Sequence, residues 1–169
     1  MRVEKGPVRF SPGSEIDWQF KAFGELSLHE LYALLQLRSE VFVVEQACIF
    51  QDLDGNDDRA MHLIGWHDGR VAAYARCFGP GVTYDEASIG RVITSDALRG
   101  TGAGHVLIRK SIEGVKAAWG DQVIRIGAQA RLERFYQGHG FEKTGEAYME
   151  DGIEHIHMLR QASPKQAKD

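Results

Sequence analysis

Arg99, Gly100, Thr101, Gly102, Ala103 and Gly104 stand between a strand-like run, ASIGRVIT (87–94), and a long helical run, HVLIRKSIEGVKAAW (105–119). That position gives them chemistry. The first amides of a helix have no internal partners and carry the positive end of the helix dipole. Glycines let such a backbone come close to a ligand, and Arg99 adds a fork of donors. The combination suits a pyrophosphate. A Walker loop would need Lys and then Ser or Thr after its last glycine, where His105 and Val106 stand. A dinucleotide fingerprint starting at Gly100 would want glycine at 105. Its acidic ribose partner would have to be Asp121, in a turn at a helix end. A glycine-rich turn holding no ligand is the alternative.

Several titratable residues could move protons or hold an amine. His62 opens a strand after an acidic loop, and His155 and His157 share one face of the last strand, being two apart. Imidazole has the natural pKa for a general base; a hydrogen-bonded strand histidine is the other reading of each. Glu45, Gln46, Asp52 and Asp54 follow the first helix, where carboxylates would attract an ammonium group or simply be solvated. Asp52-x-Asp54-x-Asn56 begins like a calcium loop but has Asp57 at the sixth place and Leu63 at the twelfth. Cys48 and Cys77 form no CxxC pair, and no metal site at the usual spacing appears. We therefore expect no metal and two reduced thiols.

These residues need a frame. WQFKAF (18–23) alternates as a strand, and Ser27 with Glu30 forms a capping box opening a helix. Leu28, Leu31, Leu35, Arg38 and Phe42 trace its apolar period, widened by Leu34 and Val41. Residues 46–59 lose that period and read as a loop. HLIGWHDGRVAAYARCF folds back at Asp68-Gly69, and FEKTGEAYME with IEHIHMLR does so at Asp151-Gly152. Residues 87–94 and 123–130 are strands, Gly120 closes the 105–119 helix, and 131–137 is a short helix. The order β α β β β α β α β β combines hairpins with crossovers, so the sheet must be mixed.

Composition bounds the rest. The 169 residues carry 20 Lys plus Arg against 24 Asp plus Glu, a formal charge of −4. That acidity argues against a nucleic-acid partner, which needs a basic footprint. No apolar run approaches the ~18 residues of a membrane span, and the amino terminus lacks an apolar signal core. We expect a cytoplasmic chain with one domain over 15–160, loose tails at 1–14 and 161–169, and final strands that offer an edge for a homodimer. Gly numbers 19, about 11% against an average of ~7%, and clusters at turns and at 100–104, which points to backbone-mediated binding.

Arg99-x-x-Gly102-x-Gly104 resembles the acetyl-coenzyme A signature of the GNAT superfamily of N-acetyltransferases. A second likeness runs from Gln129 through Arg131-Leu132-Glu133-Arg134-Phe135-Tyr136 to Gly140-Phe141. RSEVFVVEQ, QDLDG, GRVI, ALRG, GAQA and YxEDGIxHIxM resemble the ElaA-like branch, the whole covering about 16–160. The resemblance implies a mixed, mostly antiparallel sheet of six to seven strands in the acyl-CoA N-acyltransferase fold, helices on both faces. It implies two central parallel strands, 87–94 and 123–130, splayed around pantetheine. Val92, Ile93 and Thr94 would contact the cofactor arm, and Arg99, Gly100, Thr101, Gly102, Ala103 and Gly104 its pyrophosphate. Gln129 stands where many members carry Asn. Tyr136 matches the family's general acid, and Glu86 resembles, by spacing, the base of histone-acetylating relatives. Glu45, Gln46, His62 and His155 would face the acceptor. The implied reaction moves acetyl from acetyl-CoA to a primary amine. A non-catalytic acyl-CoA-binding module and an acyl-homoserine lactone synthase-like enzyme are the alternatives.

Overall fold

The protein is described by a computed structural model covering residues 15–165, so the expected tail at 1–14 and the last residues, 166–169, lie outside the described residues. Among the described residues seven strands form one sheet: β1 (Asp17–Ala22), β2 (Met61–His67), β3 (Arg70–Phe78), β4 (Ala87–Thr94), β5 (Ile124–Gln129), β6 (Phe141–Glu150) and β7 (Ile153–Arg160). Their order is β1-β2-β3-β4-β5-β7-β6. Among neighbours β4 and β5 are parallel and the others antiparallel, as hairpins and crossovers together require.

Both hairpin turns form where Asp-Gly allows them. Asp68 and Gly69 take φ of 50° and 72°, and Asp151 and Gly152 take 50° and 77°, the two positive values of a type I′ turn. The helix α1 (Leu28–Arg38) starts at the capping box: Glu30 N donates to Ser27 Oγ at 3.0 Å, and Ser27 N donates to Glu30 Oε1 at 2.8 Å. It continues as a wider π-wound coil over Ser39–Glu45. The long helix α2 (Ala103–Trp119) ends at Gly120, φ 88°. The short helix α3 is Glu133–Gln137.

Helices cover both faces. Leu107, Ile108, Ile112 and Val115 of α2 pack on Leu63, Ala73, Ala75 and Cys77, joined by Tyr136 of α3. On the opposite face Leu34, Leu37 and Val41 pack on Ile64, Tyr74 and Ile93. The apolar stripe of α1 therefore lies one step round from the expected one. Of the expected residues Leu28 is 87% exposed, while Arg38 is wholly buried as its place on the stripe requires. Arg38 lies where the period put it, and ion pairing with a distant loop matches its buried charge.

One register shift sets up the site. Tyr74 pairs with Ile93 but Arg76 pairs with Gly90, so Arg91 and Val92 bulge from β4, and Arg91 has φ 50°. Before the bulge Ile89 faces α2; after it Val92 does, and Ile93 turns to α1.

Candidate active site

The parallel pair β4–β5 is short. Ala87 pairs with Ile124 and Ser88 with Arg125, and beyond these the strands part. The opening leads into a cavity of about 1010 Å³. Val92, Ile93, Thr94 and Arg99 line one wall, and Gln129 and Tyr136 another. Among the described residues the backbone groups along the parted edges lack strand partners on that side, which suits an amide-rich ligand arm.

The glycine loop continues outward from Arg99. Gly100 and Gly102 have φ of 75° and 83°, a backbone that side chains resist. Among the described residues the amides of Gly100, Gly102 and Gly104 have no protein acceptor, while Thr101 N reaches Leu98 O and Ala103 N reaches Thr101 Oγ1. Three free amides at the start of a 17-residue helix fit a diphosphate. Arg99 is not waiting for that anion: it forms a two-pronged ion pair with Glu45, one prong at 2.9 Å. Glu45 thus sits at the cavity wall with its charge matched, and Gln46 lines the cavity beside it.

Tyr136 is 6% exposed and packs edge-to-face on Phe135 and Phe141, yet it lines the cavity. Its hydroxyl has no protein partner among the described residues. Burial pushes the phenol up to about 12, with Arg131 acting against it, so it is protonated at neutral pH. Gln129 Oε1 accepts from Arg131 Nε at 3.0 Å. His155, opposite Gln129 in register, also lines the cavity.

Two expected site residues have other work. Both oxygens of Glu86 are bound by Arg125 at 3.0 Å, which holds the carboxyl below its ordinary range and leaves it a poor base; Glu86 is not in the cavity wall. His62 is wholly buried: Nε2 donates to Asp57 O at 2.8 Å and Nδ1 accepts from Tyr74 Oη at 2.6 Å. Burial holds its pKa below the usual value. It is a core histidine, not an acceptor ligand.

The acidic loop is likewise structural. Asp52 pairs with Arg38 and Arg91, Asp54 with Arg76, and Asp57 with Arg38 and Arg76. Hydrogen bonds from Arg76 hold the Asp54 carboxyl well below the carboxylate range. Burial would raise Asp57, but Arg38 and Arg76 overcome it and lower the group. These carboxylates pin residues 46–59 to the sheet rather than drawing in an ammonium. The loop brings Cys48, Phe50 and Asn56 to the cavity. Arg91, between the rings of Phe42 and Phe50, and Tyr84, on whose ring Arg125 rests at 5.7 Å, are cavity residues that spacing did not announce. The glycine in GRVI and the aromatic in the loop before β4 are their faint signals.

Residues 33–161 match the family described as the acetyltransferase (GNAT) domain. The protein ElaA of Escherichia coli K12 is 47% identical over 148 residues, 86% of this chain and 97% of that one. A crystal structure of an acyl-CoA N-acyltransferase from Pseudomonas aeruginosa superposes with TM-score 0.81 at 44% identity, covering 85% of this chain and 99% of that one. The Salmonella typhimurium protein yncA, solved with its cofactor acetyl-CoA, shares the fold alone: TM-score 0.67 at 19% identity, over 92% of this chain and 99% of that one. Among the described residues no helix is long and apolar enough to cross a membrane.

Proposed function

The chain belongs to the GNAT acetyltransferase family, and from that premise we propose that it moves the acetyl group of acetyl-CoA to a primary amine, with Tyr136 as general acid. The observation that carries this reading is the unpartnered Tyr136 hydroxyl at the wall of the cavity where β4 and β5 part. A buried phenol otherwise finds a hydrogen-bond partner.

Acetyl-CoA would supply the activated thioester. The free amides of Gly100, Gly102 and Gly104 would hold its pyrophosphate, and the open edge of β4 from Val92 to Thr94 its amide-bearing arm. The Salmonella relative with acetyl-CoA bound supports that choice of ligand on the same fold. With the arm so anchored, Tyr136 gives a hydrogen bond to the sulfur as the carbon–sulfur bond breaks. A free thiol, at ~8.5, is the stronger acid. The burial that raises the phenol also raises the basicity of a thiolate beside it, which narrows the gap. General acids of this kind contribute about 10²–10⁴-fold.

The test is thiol release from acetyl-CoA with lysine, spermidine and a short peptide with a free amino terminus, alongside calorimetry with coenzyme A. Tyr136→Phe is expected to lower kcat about 100-fold and keep the heat of coenzyme A binding. Full turnover by this variant removes the acid role. Coenzyme A heat without thiol release from any amine would make the chain a binding module instead.

A further inference from the structure

We infer that His155 is the general base of this reaction, taking the ammonium proton at Nε2. The inference rests on the proposed acetyl transfer and gives a residue to the proton step that Glu86 and His62 cannot perform.

The tautomer follows from one hydrogen bond. His155 Nδ1 lies 2.7 Å from the carbonyl oxygen of Ile153. A carbonyl only accepts, so Nδ1 carries a hydrogen, and in the neutral ring the lone pair is on Nε2. Among the described residues Nε2 has no hydrogen-bond donor against it. Its neighbour is Glu150 Oε2 at 3.8 Å, too far for a hydrogen bond but placed to steady an imidazolium. His62 shows the contrast, with both ring nitrogens engaged.

The sheet puts base and acid on opposite sides of the reacting bond. Ile156 and Met158 of β7 are buried toward α2, so His155 between strand neighbours of that parity faces the α1 side. Tyr136 comes from α3, on the α2 side. The opening between β4 and β5 is where both meet the cavity. An amine entering from the α1 side would present its proton to His155 while sulfur leaves toward Tyr136.

The proton balance closes. The ammonium gives one proton to Nε2, the nitrogen lone pair forms the new bond to the acetyl carbon, and the carbon–sulfur bond breaks. The thiolate takes the phenolic proton of Tyr136. The second nitrogen proton restores the phenol through solvent, and His155 passes its own proton to solvent. Amide, thiol and one proton leave.

The charged and titratable groups around the ring are Tyr148, stacked on it at 5.8 Å, Glu150 and Asp151 from β6 and its turn, and His157 two residues along β7. Across the cavity wall stand Cys48, Glu45 and Arg131, the last bound to Gln129.

The experiment is a pH profile of kcat/KM for thiol release, with coenzyme A calorimetry on the same preparations. The wild type should show a rising limb distinct from the acceptor's own ionisation. His155→Gln should erase that limb and lower kcat about 100-fold, with coenzyme A heat retained. Glu150→Gln should lower kcat several-fold with coenzyme A heat retained, because the imidazolium formed in the step loses its neighbouring carboxylate. A His155→Gln enzyme that keeps both turnover and limb overturns the inference. If that variant binds no coenzyme A, Glu150→Gln decides, and an unchanged kcat overturns it too. Failure of the wild type itself to release thiol would sink the proposed transfer instead.

Discussion

Arg38→Met tests whether the acidic loop is held by buried charge. Arg38 is wholly buried and donates three bonds: Nε to Asp52 Oδ2 at 2.9 Å, Nη1 to Asp57 Oδ1 at 2.7 Å, and Nη2 to Asp52 O at 3.2 Å. Each is a bond to or from a charge, worth about 1.5–3 kcal/mol. Part of that sum only offsets the desolvation of the guanidinium, so the loss on truncation is nearer the ~3–5 kcal/mol seen when one buried partner is removed. At about 2–4 °C per kcal/mol for a chain of this size, Tm should fall by roughly 6–20 °C. Asp52 keeps Arg91 and Asp57 keeps Arg76, which favours the lower half of that range. Thermal melts measure the loss, and the double variant Arg38→Met/Asp52→Asn should lose less than the sum of its singles, because both singles remove the same Arg38–Asp52 bond. The loop carries Phe50 and Asn56 into the cavity, so KM for the amine should rise while coenzyme A heat persists. A Tm loss under about 2 °C, or strict additivity in the double variant, would refute the reasoning.

Glu45→Gln should tighten coenzyme A binding about 3- to 10-fold by freeing Arg99 for a phosphate, with Tm nearly unchanged because the pair is largely exposed. Calorimetry showing equal or weaker affinity would contradict it. Stability should also fall with acid in two stages. His62, Asp54 and Asp57 all have pKa values lowered by the fold, so each contributes stability present above its unfolded pKa and lost as pH falls. Tm should decline gently below about pH 6.5 through His62 and steeply below about pH 4 through the aspartates. His62→Gln should shrink the gentle stage, and a Tm that rises between pH 7 and 5 would contradict the assignment.

Features written within a few neighbouring residues were legible in the sequence. The Ser27–Glu30 box, the Asp68-Gly69 and Asp151-Gly152 turns and the glycines opening α2 depend on local backbone chemistry, and each stands where that chemistry put it. The role of a charged residue was not legible, because its partner lies far along the chain. Asp52 reads as solvated until Arg38, 14 residues before it, and Arg91, 39 after it, close on it. Glu86 reads as a base until Arg125 takes both oxygens. His62 looks the same as His155 in sequence, both being strand histidines, and only the tertiary partners separate a filled ring from one with a free lone pair.

The cavity itself is a consequence of one residue too many in β4. Without the bulge at Arg91, β4 would keep its alternation, Ile93 would face α2, and the α1 layer would lose a core contact. A non-glycine residue at positive φ is costly, so something must hold it. Asp52 does, accepting from Arg91 Nε at 2.7 Å, with its carbonyl accepting from Nη2 at 3.1 Å. The acidic loop is therefore coupled to the strand that opens. On the other side of the fork β5 carries Gly127, where a Cβ would stand 2.8 Å from the Tyr148 hydroxyl and 3.3 Å from that of Tyr84. The two tyrosines occupy the space a side chain would fill, just past the last paired residues, Ser88 and Arg125. The bulge re-aims β4 beyond Gly90, and the glycine lets two tyrosine hydroxyls close on β5 beyond the last paired residues. The backbone groups left over border the cavity that Tyr136 and His155 also line.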